Sequence, residues 1–196
     1  NSVYQYEHID PEFNEAKIHD PNAMTLLCGG CHDRVTRGQL SKATVRRAAD
    51  TPKCFEIGFS FGFLDIGIEP PEIILGGVHA VRSSTILRVQ GKDILSVLPP
   101  EEAGKPFRIS AYFQDAAGAE LCVIENNEWK YRPDGWDVLV VGRTIKISPY
   151  LHAPAIVMVM DPPKGIAFPW LLMRYQDISI FCDESYFCVQ YLPHGK

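Results

Sequence analysis

Residues 7–32 contain side chains that could bind metal ions and transfer a proton. Glu7 and His8 are adjacent, Asn22 follows in an Asp-Pro-Asn turn, and Cys28-Gly-Gly-Cys31 precedes His32. A carboxylate supplies oxygen to a hard cation, and a histidine can bind a metal or accept a proton near neutral pH. Two thiolates separated by glycines can fold back onto one zinc ion. These residue types, in this order, suit metal-assisted hydrolysis.

Hydrolysis of a phosphodiester bond requires a base, a cation and a scaffold that aligns them. The base takes a proton from water, and the cation neutralises charge on the phosphate and on the departing oxygen. Mg²⁺ keeps several waters and takes few protein ligands, so one or two side chains suffice to hold it. Each residue also has an ordinary explanation. His8 could be a core histidine, and Asn22 could serve only its turn.

Short strands and helices are expected to carry these residues. Weak alternation in residues 1–10 predicts a strand that Pro11 ends, and the apolar run 24–27 predicts a second strand. A helix is predicted to begin at His32 and to end near Arg37, with Gly38 at its C-terminal cap. Ser41 is expected to cap a second helix over residues 42–50.

Residues 4–38 resemble the HNH endonuclease family, whose core is a ββα-metal finger. The family places an adjacent pair on its first strand, then an asparagine, then a histidine, at spacings close to those seen here. The resemblance implies that His8 is the general base and that Asn22 pins the loop and orients His8. It also implies that Glu7 and His32 hold a catalytic Mg²⁺ or Mn²⁺. Glutamate at position 7 departs from the usual histidine or aspartate but still supplies an oxygen.

The resemblance also implies a structural zinc ion at Cys28 and Cys31. Zinc-bearing members of the family use four cysteines, two from each of two CxxC pairs. The second pair would stand just before the first strand, where this sequence begins, so we expect an N-terminally shortened chain with an incomplete zinc site. Such a loss would weaken a small finger that depends on its metal. Alternatively, Cys28 and Cys31 could recruit His19 or Cys54.

Charge is unevenly distributed along the chain. Residues 1–53 carry seven Lys/Arg and seven Asp/Glu, so the whole net charge of −5 lies in residues 54–196. Residues 33–50 are locally basic, with five Lys/Arg against two Asp. A solvated helix face would explain this charge. Under the family interpretation, its arginines would instead contact DNA phosphates without reading sequence; they are Arg34, Arg37, Arg46 and Arg47.

The rest of the chain has a different pattern. Phenylalanines alternate with glycines before Pro70-Pro71, which predicts a linker over residues 54–71. Short β-rich runs divided by Gly, Pro and Asp then predict an antiparallel β-sandwich or barrel-like domain over residues 72–196. Within it, only residues 169–176 are compatible with a helix. The predicted fold class is therefore mainly β, or α+β overall, with a finger and a short basic helix in residues 1–53.

Two functions are compatible with this organisation. The first is a metal-dependent HNH endonuclease of bacterial or phage origin that hydrolyses DNA. The second is a binding or assembly protein, whose β domain contacts a protein partner or a second copy while the finger is structural or vestigial. The presence of Glu7, His8, Asn22 and His32 together favours the nuclease.

The distribution of cysteines and the hydropathy of the chain indicate the cellular compartment of the protein. The chain has six cysteines, and those outside the CxxC pair are scattered, mostly in apolar runs, as is typical of buried thiols in a reducing cytoplasm. No run approaches the roughly 18 apolar residues that a membrane-spanning helix needs. We therefore expect a cytoplasmic protein without a membrane span.

Overall fold

The computed structural model describes residues 4–132, 136–149 and 153–192. The chain forms two compact units, Asn1–Ser60 and Phe61–Lys196. The division between them falls inside the segment predicted as a linker. Within the described residues, no helix is both long enough and apolar enough to cross a membrane.

The first unit begins with a two-stranded antiparallel sheet followed by helices. Strands β1 and β2 pair so that Glu7 lies opposite Thr25 and His8 lies opposite Met24. Helix α1 contacts both strands. The elements, in chain order, are β1 (Tyr4–His8), a 3-10 helix (Pro21–Ala23), β2 (Met24–Cys28), α1 (Gly29–Thr36), α2 (Lys42–Asp50) and α3 (Lys53–Ile57).

Local capping explains where the helices of this unit begin and end. Helix α1 starts earlier than predicted because the Cys28 sulfur accepts the N–H of Cys31 and so caps the helix. Gly38 follows α1 with φ of 71°, the left-handed conformation predicted for it. Ser41 caps α2, as predicted, by accepting the N–H of Thr44 at 3.2 Å.

The second unit consists of strands arranged in two sheets. One sheet has the order β3-β10-β9-β8-β7-β6, and the other has β11-β12-β13-β14-β15-β16, with β4 also on β14 and β5 on β4. The strands are β3 (Ser60–Phe63), β4 (Glu72–Leu75), β5 (Val78–Val81), β6 (Thr85–Val89), β7 (Lys92–Leu98), β8 (Arg108–Gln114), β9 (Glu120–Glu125), β10 (Glu128–Tyr131), β11 (Trp136–Val141), β12 (Thr144–Pro149), β13 (Ile156–Asp161), β14 (Gly165–Tyr175), β15 (Ile178–Cys182) and β16 (Phe187–Tyr191).

The two sheets enclose one apolar core. Phe113 of β8 and Phe168 of β14 are fully buried, and their ring centroids lie 5.5 Å apart. Alternating strand residues therefore face a shared interior, as in a β-sandwich. The mainly-β prediction is confirmed. One detail differs from the antiparallel expectation, because β4 and β14 pair in parallel.

The stretch 169–176 is not helical. It belongs to β14, which extends through Pro169 to Tyr175. Among the described residues, Pro169 has no partner strand residue in any ladder of β14. The ladder with β4 ends at Phe168, and the ladder with β15 begins at Leu171. The ladder with β13 has a register shift between Val157 and Val159. Proline lacks an N–H to donate, so a strand accepts it at such an irregularity.

The segment predicted as a linker contains all of α3 except Lys53, and the whole of strand β3. Alternation of phenylalanine with glycine suits a strand, and Gly62 of β3 has a packing reason as well. A Cβ atom at position 62 would lie 2.7 Å from the indole nitrogen of Trp129, which is buried on β10. A larger residue at position 62 would therefore displace a core tryptophan.

Candidate active site

The predicted metal ligands Glu7 and His32 lie side by side in the first unit. Glu7 is buried on β1, with 6% of its surface exposed. Its Oε2 lies 3.5 Å from Nε2 of His32, which is near the start of α1 and whose side chain is 33% exposed. Strand pairing and the packing of α1 on the strands bring these two distant residues together.

These two atoms are close enough for their side chains to share one ion. In the octahedral geometry of Mg²⁺, adjacent ligands about 2.1 Å from the ion and about 90° apart are separated by about 3.0 Å, so the two side chains would have to approach each other by about 0.5 Å. In the part of the chain that the structure describes, no group of three or more His, Cys, Asp and Glu side chains could hold a metal ion. Water and substrate oxygens would therefore have to complete the shell, as Mg²⁺ commonly requires.

Lys42 is a site residue that no sequence pattern indicated. It is the first residue of α2, and its ammonium donates to Oε1 of Glu7 and to the backbone oxygen of His8. A buried carboxylate is costly unless it is paired, so Lys42 provides a counter-charge for Glu7. A single lysine at a helix start carries no sequence signal that would distinguish it from a solvated one.

His8 is buried but faces a different set of neighbours from Glu7. Its side chain is 4% exposed, and its Nε2 lies 3.0 Å from Nδ1 of His19. Its ring also meets Phe13 edge-on, with centroids 5.5 Å apart. Successive strand residues project to opposite faces, which accounts for the separation of His8 from the contacts of Glu7. The structure thus pairs Glu7 with His32, and His8 with His19.

The second nitrogen of His8 is the unusual atom of this cluster. Nδ1 of His8 is buried, and no hydrogen-bond partner for it lies among the described residues. If Nε2 of His8 donates to His19, then Nδ1 carries a free lone pair that can accept a proton. Buried polar atoms in proteins almost always have a partner, so this nitrogen calls for a water or a ligand.

A pocket of about 520 Å³ adjoins His8. Its walls include both histidines, exposed aromatic rings and aliphatic side chains from β2. Among the described residues that line it there is no Lys, Arg, Asp or Glu. The main lining side chains are Tyr6, His8, Phe13, His19, Met24 and Leu26.

Asn22 holds the turn that precedes β2. Its side-chain amide donates to Oδ1 of Asp20 at 3.1 Å, and its backbone N–H donates to the same oxygen at 2.9 Å. The neighbouring Ala23 oxygen accepts the N–H of Ile9 at 2.8 Å, which ties the turn to the end of β1. The residue seen to orient the His8 ring is His19, and a direct action of Asn22 on His8 stays a prediction.

Cys28 and Cys31 lie together at the start of α1. The Cys28 sulfur accepts the N–H of Cys31 at 3.4 Å. Partial burial raises the pKa of Cys28, but hydrogen bonds from Cys31 and Gly30 outweigh it, so the net pKa is lowered. The hydrogen bond to Cys28, followed by burial, raises the pKa of Cys31. The pair can supply two thiolates to zinc, and the zinc site stays a prediction. His19, one alternative ligand, is bonded to His8 instead.

The predicted DNA-contacting arginines are all exposed on or beside α1 and α2. Arg37 pairs with Asp33 at 2.9 Å, and Arg46 lies 3.7 Å from Asp10. Ion pairs of Arg34 and Arg47 are not seen in the ranges that the structure describes. These two guanidinium groups are therefore the freest of the four to meet a phosphate.

Comparisons with protein-family models, with curated proteins and with solved structures found no match to this chain.

Proposed function

We propose that this protein is a metal-dependent HNH-type endonuclease that hydrolyses DNA phosphodiester bonds. The observation that supports it best is the 3.5 Å approach of Glu7 to His32, which brings a buried carboxylate and an accessible imidazole close enough to share one ion. The next residue of β1, His8, is a buried histidine on the other face of the strand, and its Nδ1 has no partner among the described residues. A metal ligand pair and a proton acceptor are what the reaction requires.

Each side chain has a distinct role in this proposal. Glu7 and His32 would hold Mg²⁺ or Mn²⁺, which would neutralise charge on the phosphate and on the departing oxygen. Nδ1 of His8 is buried in this structure and would accept the proton of the attacking water once the site opens to it. His19 holds the ring through its contact with Nε2. Glu7 and His8 are the last residues of β1 and project to opposite faces of it. The scissile phosphate must therefore lie at the end of the strand, between the two faces, to reach both.

The arginines and cysteines around this site would bind DNA and a structural metal ion and would take no part in the hydrolysis itself. Exposed Arg34, Arg37, Arg46 and Arg47 position the DNA backbone through phosphate contacts. Cys28 and Cys31 contribute two ligands to a structural zinc ion. We also place the protein in the cytoplasm, a proposal supported by its six free thiols. The β domain would contact a protein partner or a second copy of the chain.

One observation favours the second candidate, a binding or assembly protein. Lys42 already neutralises Glu7, and a buried ion pair that joins a strand to a helix is also a structural device. In that case Glu7 would serve the fold, and the β domain would carry the function.

A plasmid-nicking assay with Mg²⁺ or Mn²⁺ separates the two candidates. Wild type, His8→Ala and Glu7→Gln would be compared with His79→Ala, which removes an exposed histidine of the second unit. We expect nicking by wild type and by His79→Ala, and a loss of about 100-fold or more for His8→Ala because general-base catalysis contributes at least that much. Nicking that is absent with both metals, or unchanged by His8→Ala, would overturn the nuclease proposal.

A further inference from the structure

We infer that the pocket beside His8 binds an unpaired nucleobase next to the scissile phosphate, so that the preferred substrate is single-stranded or locally unpaired nucleic acid. This inference rests on the proposed nuclease function. The pocket lies entirely within the first unit, and its volume of about 520 Å³ is in the usual range for small-molecule sites.

The chemistry of the walls identifies the part of the nucleotide that fits. Phe13 and Tyr6 line the pocket, yet 71% and 72% of their surfaces are exposed. The rings of Phe13 and His19 are nearly parallel, at 23°, with centroids 6.1 Å apart. Flat, accessible rings are stacking surfaces for bases, and proteins that bind single strands use them in this way.

Charge excludes the phosphate itself as the occupant of the pocket. The described lining has no lysine or arginine to pair with an anion. A neutral ring suits this environment better, whereas the phosphate would lie outside the pocket, toward Glu7, His32 and Lys42. One nucleotide would then contact both sites, with its base in the pocket and its phosphate at the ion site.

The unpaired nitrogen of His8 is an independent indication of a ligand. His8 lines the pocket, is 96% buried, and has no described partner for Nδ1. Because Nδ1 itself is buried, an occupant that donates a hydrogen bond would reach it only by displacing the side chains that cover it. A base inside a duplex cannot reach such a pocket without leaving the stack, and a base that is already unpaired avoids that penalty.

Binding without cleavage tests this inference apart from the nuclease proposal. Fluorescence anisotropy in buffer without added Mg²⁺ or Mn²⁺ would measure the affinity of wild type, Phe13→Ala and Phe13→Leu for a labelled thymidine dodecamer. Phe55→Ala is the matched control, because Phe55 is 60% exposed in α3 of the same unit but does not line the pocket. Circular dichroism would verify that each variant is folded.

We expect about five- to tenfold weaker binding for Phe13→Ala and for Phe13→Leu, the latter because leucine has no π face, and no change for Phe55→Ala. An oligomer of abasic sugars should bind all four proteins equally. Equal affinities of wild type and Phe13→Ala for the thymidine oligomer, or no binding by wild type, would overturn the inference. If wild type nicks DNA but the Phe13 variants bind the thymidine oligomer as well as wild type does, the base pocket is rejected and the nuclease proposal stands. If the Phe13 variants bind more weakly but wild type does not nick DNA, only the nuclease proposal is rejected.

Discussion

Lys42 of α2 donates hydrogen bonds to the buried carboxylate of Glu7 and to the backbone oxygen of His8 on β1. This one ammonium joins the second helix to the end of the first strand. Because the Lys42 side chain is 31% exposed, part of its interaction is screened by solvent. We expect Lys42→Met to lower the free energy of unfolding by about 1–3 kcal/mol, since it leaves a buried carboxylate with one fewer donor. Urea titration measures this loss.

Lys53→Met is the matched control for Lys42→Met. Lys53 is 80% exposed, and its one ion pair among the described residues is with Glu56, 3.4 Å away, so its replacement should change stability by less than about 0.5 kcal/mol. A double variant, Lys42→Met with Glu7→Leu, should recover much of the loss because neither charge remains buried. A Lys42→Met protein as stable as wild type would show that the contact is not stabilising.

The contact between His19 and His8 predicts a second effect on nicking. His19→Ala removes the partner of His8 Nε2, so the ring loses its fixed orientation and tautomer. We expect nicking to fall at least about tenfold and the pH profile of the remaining activity to change. Binding of Mn²⁺, followed by electron paramagnetic resonance, should be unchanged because Glu7 and His32 are intact. Equal nicking rates and pH profiles for wild type and His19→Ala would contradict this role.

The exposed arginines predict a change in the salt dependence of DNA binding. Arg34→Ala or Arg47→Ala should each weaken binding to all sequences alike and lower the slope of log affinity against log salt by about 1. Arg88→Ala is the control, because Arg88 lies in the second unit and is held by Asp93 at 2.5 Å. An unchanged slope for both helix variants would place the DNA elsewhere on the protein.

Cys122 predicts a loss of stability in alkaline solution. Burial raises the pKa of this thiol on β9 from 9.0 to about 12. Above pH 9 the unfolded chain releases the proton while the folded chain retains it, so the stabilising contribution is complete below pH 9 and is lost as pH rises toward 12. Each such thiol adds a slope of up to about 1.4 kcal/mol per pH unit. Unfolding of Cys122→Ala should show less alkaline loss than Cys188→Ala; identical pH dependence would contradict the assignment.

Local signals predicted the first unit well because its elements depend on local chemistry. Ser41 and Gly38 cap their helices through contacts a few residues away, which a sequence pattern can reveal. The Glu7–His32 contact followed from the order of the residues in a family pattern. Lys42 was not predicted as a site residue, and His19 was considered only as an alternative zinc ligand, because the contacts of both residues join positions that are distant in the sequence.

In the second unit, the strands were easier to predict than their pairing. Regular apolar runs separated by turns indicated a β domain, but residues 169–176 were also compatible with a helix. Strand pairing explains why this stretch is a strand. On one side, β14 pairs with β4 before Pro169 and with β15 after it, so the N–H that proline lacks is not needed for a hydrogen bond to either strand. Sequence periodicity describes one strand at a time and does not show where a ladder is interrupted.

The parallel pairing of β4 with β14 also determines the order in which these strands can pair while the chain is being synthesised. Ile73 lies beside Ile166, nearly half the chain away, whereas β5 pairs with β4 almost at once. As the polypeptide leaves the ribosome, β4 and β5 can form a hairpin early but must wait for β14 before their sheet is complete. Closing so long a loop is slow. During that interval one side of β4 is an open edge, the stage at which a nascent chain is most exposed to wrong pairing.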